Sequence, residues 1–472
     1  MNSVSGEKPR SILVLVAALA VAALAGVVLS RYAPLAREQV FMSAILVLGI
    51  ALWVTEAIPL FATSLLIIGL QVILIANPGG WSGLGFATGE APSYRQIFNA
   101  AADPILLLFF GGFLLARAVV NEGVDRALAA VLLRPFGSAP RHILLGVLVV
   151  TMIFSMWMSN TATAAMMLAV VSPMLEACPA RDRFRKALLL AVAFGANLGG
   201  LGTPIASPPN ALALSLLQRS GFTVSFLNWM LVAIPLAVGL CFFTWLLLWK
   251  WFPPSVSGLR FEFPQAPLSD RGRNVLRIFA LTLVLWVSDY WTGIPTPVVA
   301  LVPAILLTGT GLITARDLGR IEWSVLLLVA GGISLGAGMQ LTGLDRILVD
   351  VLPVHRVSGY GLLAILVVGT ILLGTFMSNT AAANLLLPVG IAAAMATGTG
   401  GISVTQAALS IALAASISMA LPISTPPNAM AYARGEFSAR DLAKAGLLIG
   451  VAAALAILFA GGWIIRIVGI TR

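Results

Sequence analysis

The stretch Met158-Ser159-Asn160-Thr161-Ala162-Thr163-Ala164-Ala165 lies inside an apolar run, and it returns as Met377-Ser378-Asn379-Thr380-Ala381-Ala382-Ala383-Asn384. Three adjacent polar side chains without formal charge are costly in hydrocarbon unless something binds them. The runs that carry them, 142–177 and 359–394, are each 36 residues long. One bilayer crossing uses about 20 residues. Apart from the tripeptide no turn or charge breaks the first run, so each run reads as a re-entrant hairpin with a polar tip. Irregular backbone at membrane depth survives only where it lines a cavity.

Composition sets the solvent. Of 472 residues 59% are hydrophobic and 10% charged, and the mean hydropathy is +1.00. A soluble chain of this size needs far more charge to cover its surface, so the chain is read as a polytopic membrane protein. Cys178 and Cys241 lie far apart in apolar surroundings and suggest neither a disulfide framework nor a metal site. The two histidines, His142 and His355, leave little room for a histidine-ligated metal. The net charge of +10 reflects Lys and Arg gathered in cytoplasmic loops and does not call for a nucleic-acid partner.

The chain divides into a first helix outside the repeat (1–40), a unit over 41–251, a cytoplasmic linker at 252–273, and a second unit over 274–472. Each unit carries a hairpin and, after it, an apolar run broken by glycine and proline. The broken runs span 187–217 and 404–433, with breaks ending at Pro208-Pro209-Asn210 and Pro426-Pro427-Asn428. The register is close. Gly111-Gly112 and Gly331-Gly332 are 220 apart, Ser159 and Ser378 are 219 apart, and the two Pro-Pro-Asn motifs are 218 apart. Chance rarely produces such agreement. With the N-terminus cytoplasmic and both hairpins re-entrant, cytoplasmic segments hold 18 Lys and Arg and outside segments 8. In that orientation the C-terminus lies outside. The fold class expected is an all-α polytopic membrane protein, with about 11 transmembrane helices in two inverted repeats.

Inversion would bring both tips and both breaks to one central point. Asn and Thr donors and helix N-termini suit a di- or tricarboxylate, and neutral oxygens suit a hard cation such as sodium. No Asp or Glu stands among these motif residues, so bound anion and bound cation would strengthen one another. The paired Ser-Asn-Thr and Pro-Pro-Asn motifs resemble the divalent anion:sodium symporter family over residues 40–467, whose members carry dicarboxylates and citrate. The resemblance implies a sodium-coupled importer of a C4-dicarboxylate such as succinate, malate or fumarate. It further implies a homodimer in the inner (plasma) membrane, elevator-type alternating access, and no organic cofactor. It places substrate on Ser159, Asn160, Thr161, Ser207, Ser378, Asn379, Thr380, Thr425 and Pro426. It places a first sodium on Ser155, Ser159, Asn160 and Ala206, and a second on Ser378, Asn379 and Ser424.

One departure bears on the second sodium. Gly374 stands four before Ser378, where Ser155 stands four before Ser159. The open alternatives are a sodium-independent dicarboxylate or citrate exchanger, a sulfate transporter and, in a different class, an anion channel. An intramembrane enzyme is disfavoured by the lack of His-Glu-x-x-His or an obvious acid pair. Four further readings concern residues outside the motifs. The Gly-Gly pairs are read as close helix packing. Trp53, Trp286 and Trp291 are read as interface anchors. Glu56 and Asp289 are read as partly hydrated interfacial carboxylates, and the basic run Arg181–Lys186 as a topology signal.

Overall fold

The computed structural model describes residues 8–86, 91–259, 267–351, 357–396 and 402–467. Part of the linker (260–266), His355 and the C-terminal Arg472 lie outside the described residues. Among the described residues the chain is helical without strands, as a bilayer requires, since a helix satisfies its own backbone. The main helices of the first half are α1 (Lys8–Tyr32), α2 (Arg37–Thr55), α3 (Leu60–Leu70), α4 (Ile105–Asn121), α5 (Val124–Leu133), α6 (Pro140–Ser155), α7 (Asn160–Val170), α8 (Arg183–Gly199), α9 (Pro208–Arg219) and α10 (Phe226–Trp251). Those of the second half are α11 (Asp270–Val287), α12 (Leu301–Gly309), α13 (Trp323–Thr342), α14 (Gly359–Phe376), α15 (Asn379–Ala396), α16 (Val404–Ser416), α17 (Pro426–Tyr432) and α18 (Ala439–Ala456). Serine starts many of them. Ser225, Ser269, Ser358, Ser403 and Ser438 each accept a bond from a backbone N–H in the next turn.

Among the described residues eight helical segments are long and apolar enough to cross a membrane. The first hairpin has arms of 16 and 11 residues, α6 and α7. At 1.5 Å per residue α7 reaches about 16 Å, roughly half the hydrocarbon core. The arms of the second hairpin, α14 and α15, have 18 residues each and are long enough to cross. Past a single turn at Val171, however, the second arm of the first hairpin continues as the helix Ser172–Ala177, so 160–177 matches α15 in length and the two hairpins are alike in turn and in reach. α5 is the short amphipathic helix that the charge pattern of 122–136 leads one to expect.

Two of the three tryptophans are not interface anchors. Trp53 is 0% and Trp286 1% exposed, whereas Trp291 is 71% exposed. Trp286 stacks on Phe226 with ring centroids 5.3 Å apart, and its Nε1 donates to the Thr296 carbonyl. Asp289 is not a hydrated carboxylate either. It is buried, and it accepts from the Phe226 N–H, a free amide at the start of α10. Glu56 is exposed and ends α2. The basic run has partners: Arg185 forms a two-bond ion pair with Glu436, and Lys186 Nζ lies 3.0 Å from Asp441. The hydrogen bond from Arg185 holds the Glu436 carboxyl below its ordinary pKa. That contribution to stability is complete above the usual carboxylate range and fades as pH falls through the lowered value.

The Gly-Gly pairs do mark close packing. A methyl group at Gly111 would lie 2.5 Å from the Ala300 carbonyl oxygen, and one at Gly331 would lie 2.2 Å from Ser64 Cβ. At Gly369, by contrast, a methyl group would meet nothing within 4 Å. Gly111→Ala should therefore destabilise by ~1–3 kcal/mol through overpacking. Gly369→Ala should be neutral or stabilise by up to ~1 kcal/mol through helix propensity. Thermal melts of the two variants in detergent test the contrast, and equal melting temperatures would contradict the close approach.

Candidate functional site

Each Ser-Asn-Thr triplet forms the start of a helix. Ser159 has extended backbone (φ −61°, ψ 143°), and its Oγ accepts from Ala162 N at 3.3 Å. Ser378 does the same for Ala381 N at 3.2 Å. The serines are thus N-caps, while Asn160-Thr161 and Asn379-Thr380 open α7 and α15. The breaks are built in parallel. Pro208 and Pro426 open α9 and α17, where a missing N–H costs nothing. The asparagine two residues later is a staple. Asn210 Nδ2 donates to the carbonyls of Gly200 and Thr203, both at 2.8 Å. Asn428 Nδ2 donates to those of Met419 and Leu421 at 2.8 and 3.0 Å.

Tip and break are tied to each other in both halves. The Thr203 hydroxyl donates to the Met156 carbonyl, and Ser424 Oγ donates to the Thr375 carbonyl at 2.7 Å. Met156 and Thr375 are 219 residues apart, the same offset as the two triplets. Bonds also link the broken segment of one half to that of the other: Asn197 Nδ2 donates to Asn428 Oδ1 at 3.0 Å, and Ser416 Oγ donates to Ser207 Oγ at 3.2 Å.

These elements enclose a cavity of about 240 Å³. Ser159, Asn160, Thr161, Ser207, Ser378, Asn379, Thr380, Thr425 and Pro426 all line it, and so do Ala206 and Ser424. Ser155 does not; it is fully buried behind the first tip. Leu60, Phe109, Phe113, Val325 and Leu328 form the apolar wall. Among the described residues no Lys or Arg lines the cavity. Positive potential comes instead from the N-terminal ends of α7, α9 and α15, whose first residues face it. Such a site can bind a small anion through hydroxyl, amide and backbone N–H donors.

Behind the first tip is a set of oxygens. Ser155 Oγ lies 2.7 Å from both Asn160 Oδ1 and the Ala196 carbonyl, and its one proton serves them in turn. The second tip has the same set by another route. Ser418 Oγ donates to the Ala414 carbonyl at 3.1 Å, and Ala414 lies 218 residues after Ala196. A Cβ at Gly374 would lie 2.6 Å from that Ser418 oxygen and 3.6 Å from Asn379 Oδ1. In the first half the pairing is reversed. Gly200, 218 residues before Ser418, leaves the space that Asn160 Nδ2 fills, 2.7 Å from a Cβ placed there. Serine and glycine have exchanged places between hairpin and break. Asn379 Oδ1 is buried and has no hydrogen-bond partner among the described residues.

Two residues escape the sequence reading. Ser418 carries no motif of its own, and only the offset to Gly200 points to it. Glu322 corrects the picture of a centre without acids. It caps α13, lines the cavity, and accepts from Ser159 Oγ at 2.7 Å. In sequence it looks like the polar end of a span, since Arg320 stands two residues before it.

The Citrate transporter (CitMHS) family profile matches residues 50–405 and 290–470 of this chain. The chain belongs to the citrate transporter family. Members of the family are transporters, not enzymes. An uncharacterized transporter of Schizosaccharomyces pombe is 30% identical over 459 residues, covering 92% of this chain and 50% of its own. The chain thus spans about half the length of that relative. The sodium-dependent dicarboxylate transporter SdcS of Staphylococcus saprophyticus is 27% identical over 462 residues, 88% of this chain and 84% of its own. The crystal structure of the Alcanivorax borkumensis YdaH transporter shares the fold, with TM-score 0.58 and 16% identity over 86% of this chain and 98% of its own.

If the asparagine staples hold the breaks open, this citrate transporter family member should melt earlier without one. Asn428→Asp keeps an acceptor for Asn197 but loses both donors. It should cost ~2–4 kcal/mol, because two buried carbonyls lose their partners. Unchanged melting would show that other groups hold the break.

Proposed function

We propose that the chain is a secondary carrier that imports a small divalent carboxylate, of the size of succinate, malate or fumarate, together with sodium. One observation carries this reading: both Ser-Asn-Thr triplets, 219 residues apart in sequence, line one cavity with no basic side chain. Neutral donors and helix N-termini favour an anion, and uncharged oxygens behind each tip favour a hard, weakly held cation. The name of the SdcS relative supports the same pairing of solutes. In this reading 41–251 and 274–472 are inverted units, the carrier is a plasma-membrane homodimer with a cytoplasmic N-terminus, and the loaded tips move by an elevator motion.

Sodium is cargo here, and the residues fit two ions. The first would use Ser155, Asn160 and the backbone near Ala196 and Ala206. The second would use Asn379, the backbone near Ser424 and the hydroxyl of Ser418, which offsets the missing side chain of Gly374. The partnerless Asn379 oxygen supports this assignment.

Uptake by proteoliposomes, with and without a sodium gradient and over a panel of succinate, malate, fumarate, citrate and sulfate, tests the reading. Saturable, sodium-driven uptake of a C4-dicarboxylate is expected. Asn160→Ala and Asn379→Ala should each lower it by about 10- to 100-fold, the value of a lost hydrogen bond to a charged group. Normal succinate uptake in either variant would refute the site. Equal uptake without sodium, dependent on an internal anion, would identify an exchanger.

The second ion has its own test. Ser418→Ala should raise the sodium concentration for half-maximal thermal stabilisation and lower the sodium cooperativity of uptake. Gly374→Ser alone should destabilise, and Gly374→Ser with Ser418→Gly should restore both readouts. An unchanged sodium response in Ser418→Ala would leave one ion per cycle.

A further inference from the structure

We infer that Glu322 is a tethered competitor of the substrate, a built-in carboxylate that occupies the first anion-binding tip when the site is empty. The inference rests on the dianion reading above and deepens it. Among the described residues Glu322 is the one charged side chain that lines the cavity, and no Lys or Arg forms an ion pair with it. Its Oε1 takes the hydrogen bond of Ser159 Oγ at 2.7 Å.

A serine hydroxyl has a single proton. While Ser159 gives that proton to Glu322, it cannot give it to a substrate carboxylate. The Ser159 oxygen faces the other way, accepting from Ala162 N. The proton therefore points into the cavity, where an anion would meet it. Glu322 makes the contact that a carboxylate of the substrate would make, at the same atom. The backbone favours this arrangement, because Glu322 sits immediately before α13 and needs only its own side chain to reach the tip.

Two effects follow. A dianion that binds Ser159 must first detach Glu322. It then shares the cavity with a displaced negative charge, and the repulsion grows with the charge on the ligand. Both effects weaken binding and speed release. A carrier gains from that, because a solute held too firmly at low energy is released slowly.

The test is binding in detergent, with succinate and citrate as probes at saturating sodium. Affinity is read by thermal shift and by calorimetric titration of wild type, Glu322→Gln and Glu322→Ala. Glu322→Gln keeps an acceptor for Ser159 and removes the charge; Glu322→Ala removes both. Each should lower the Kd for succinate by about tenfold, and by more for the more highly charged citrate. The melting temperature without ligand reports whether each variant is folded, and the two variants guard against the failure of one. A Kd that stays the same or rises in a folded variant would overturn the inference and leave the dianion reading standing. No binding of either probe to any of the three proteins would overturn the dianion reading, and the inference with it.

Discussion

Polar groups at the middle of this fold have almost no water to turn to, so the two turns and the two breaks must satisfy one another. This mutual satisfaction is what permits non-helical backbone at membrane depth. The carbonyl left free at each hairpin turn, Met156 or Thr375, is met by a hydroxyl from the break beside it, Thr203 or Ser424. The carbonyls left free in each break are met by the asparagine that opens the next helix segment, Asn210 or Asn428. With the backbone settled in this way, the triplet side chains are free to face the cavity. Removing a member of the network would leave a buried acceptor unpaired, and that costs more than the bond itself contributes.

A cavity of this kind can attract an anion without basic residues. A lysine or arginine inside a bilayer carries a heavy desolvation cost and would bind a dicarboxylate tightly. Helix N-termini and hydroxyls give a softer attraction, spread over several donors. The Asn197–Asn428 and Ser416–Ser207 bonds hold the two sides of this site in one frame. Within that frame Glu322, an acid, accepts the hydrogen bond of Ser159 at the cavity wall.

Much of the frame was legible in the sequence because its signals are local. A polar triplet in an apolar run marks a turn, Pro-Pro marks a helix start, and a constant offset marks a duplicated plan. The nine residues that the family resemblance assigns to substrate all line one cavity. What was not legible depends on approach in space. Trp53 and Trp286 have the side chain of an interface anchor, but packing buries them, and Trp286 finds its partner ten residues away. Asp289 looks like a surface acid and serves as a cap for a helix 63 residues earlier. Glu322 reaches Ser159 across 163 residues, a separation no pattern encodes.

The serine–glycine exchange makes positions 374 and 418 a single unit of inheritance. A side chain at 374 and a hydroxyl at 418 cannot coexist without a shift, since they would stand 2.6 Å apart. Exchanging one arrangement for the other by single substitutions is therefore easiest through glycine at both places. That form would lack the hydroxyl that Ser418 places beside the second tip. Scoring either position alone would miss that the two share room for one side chain.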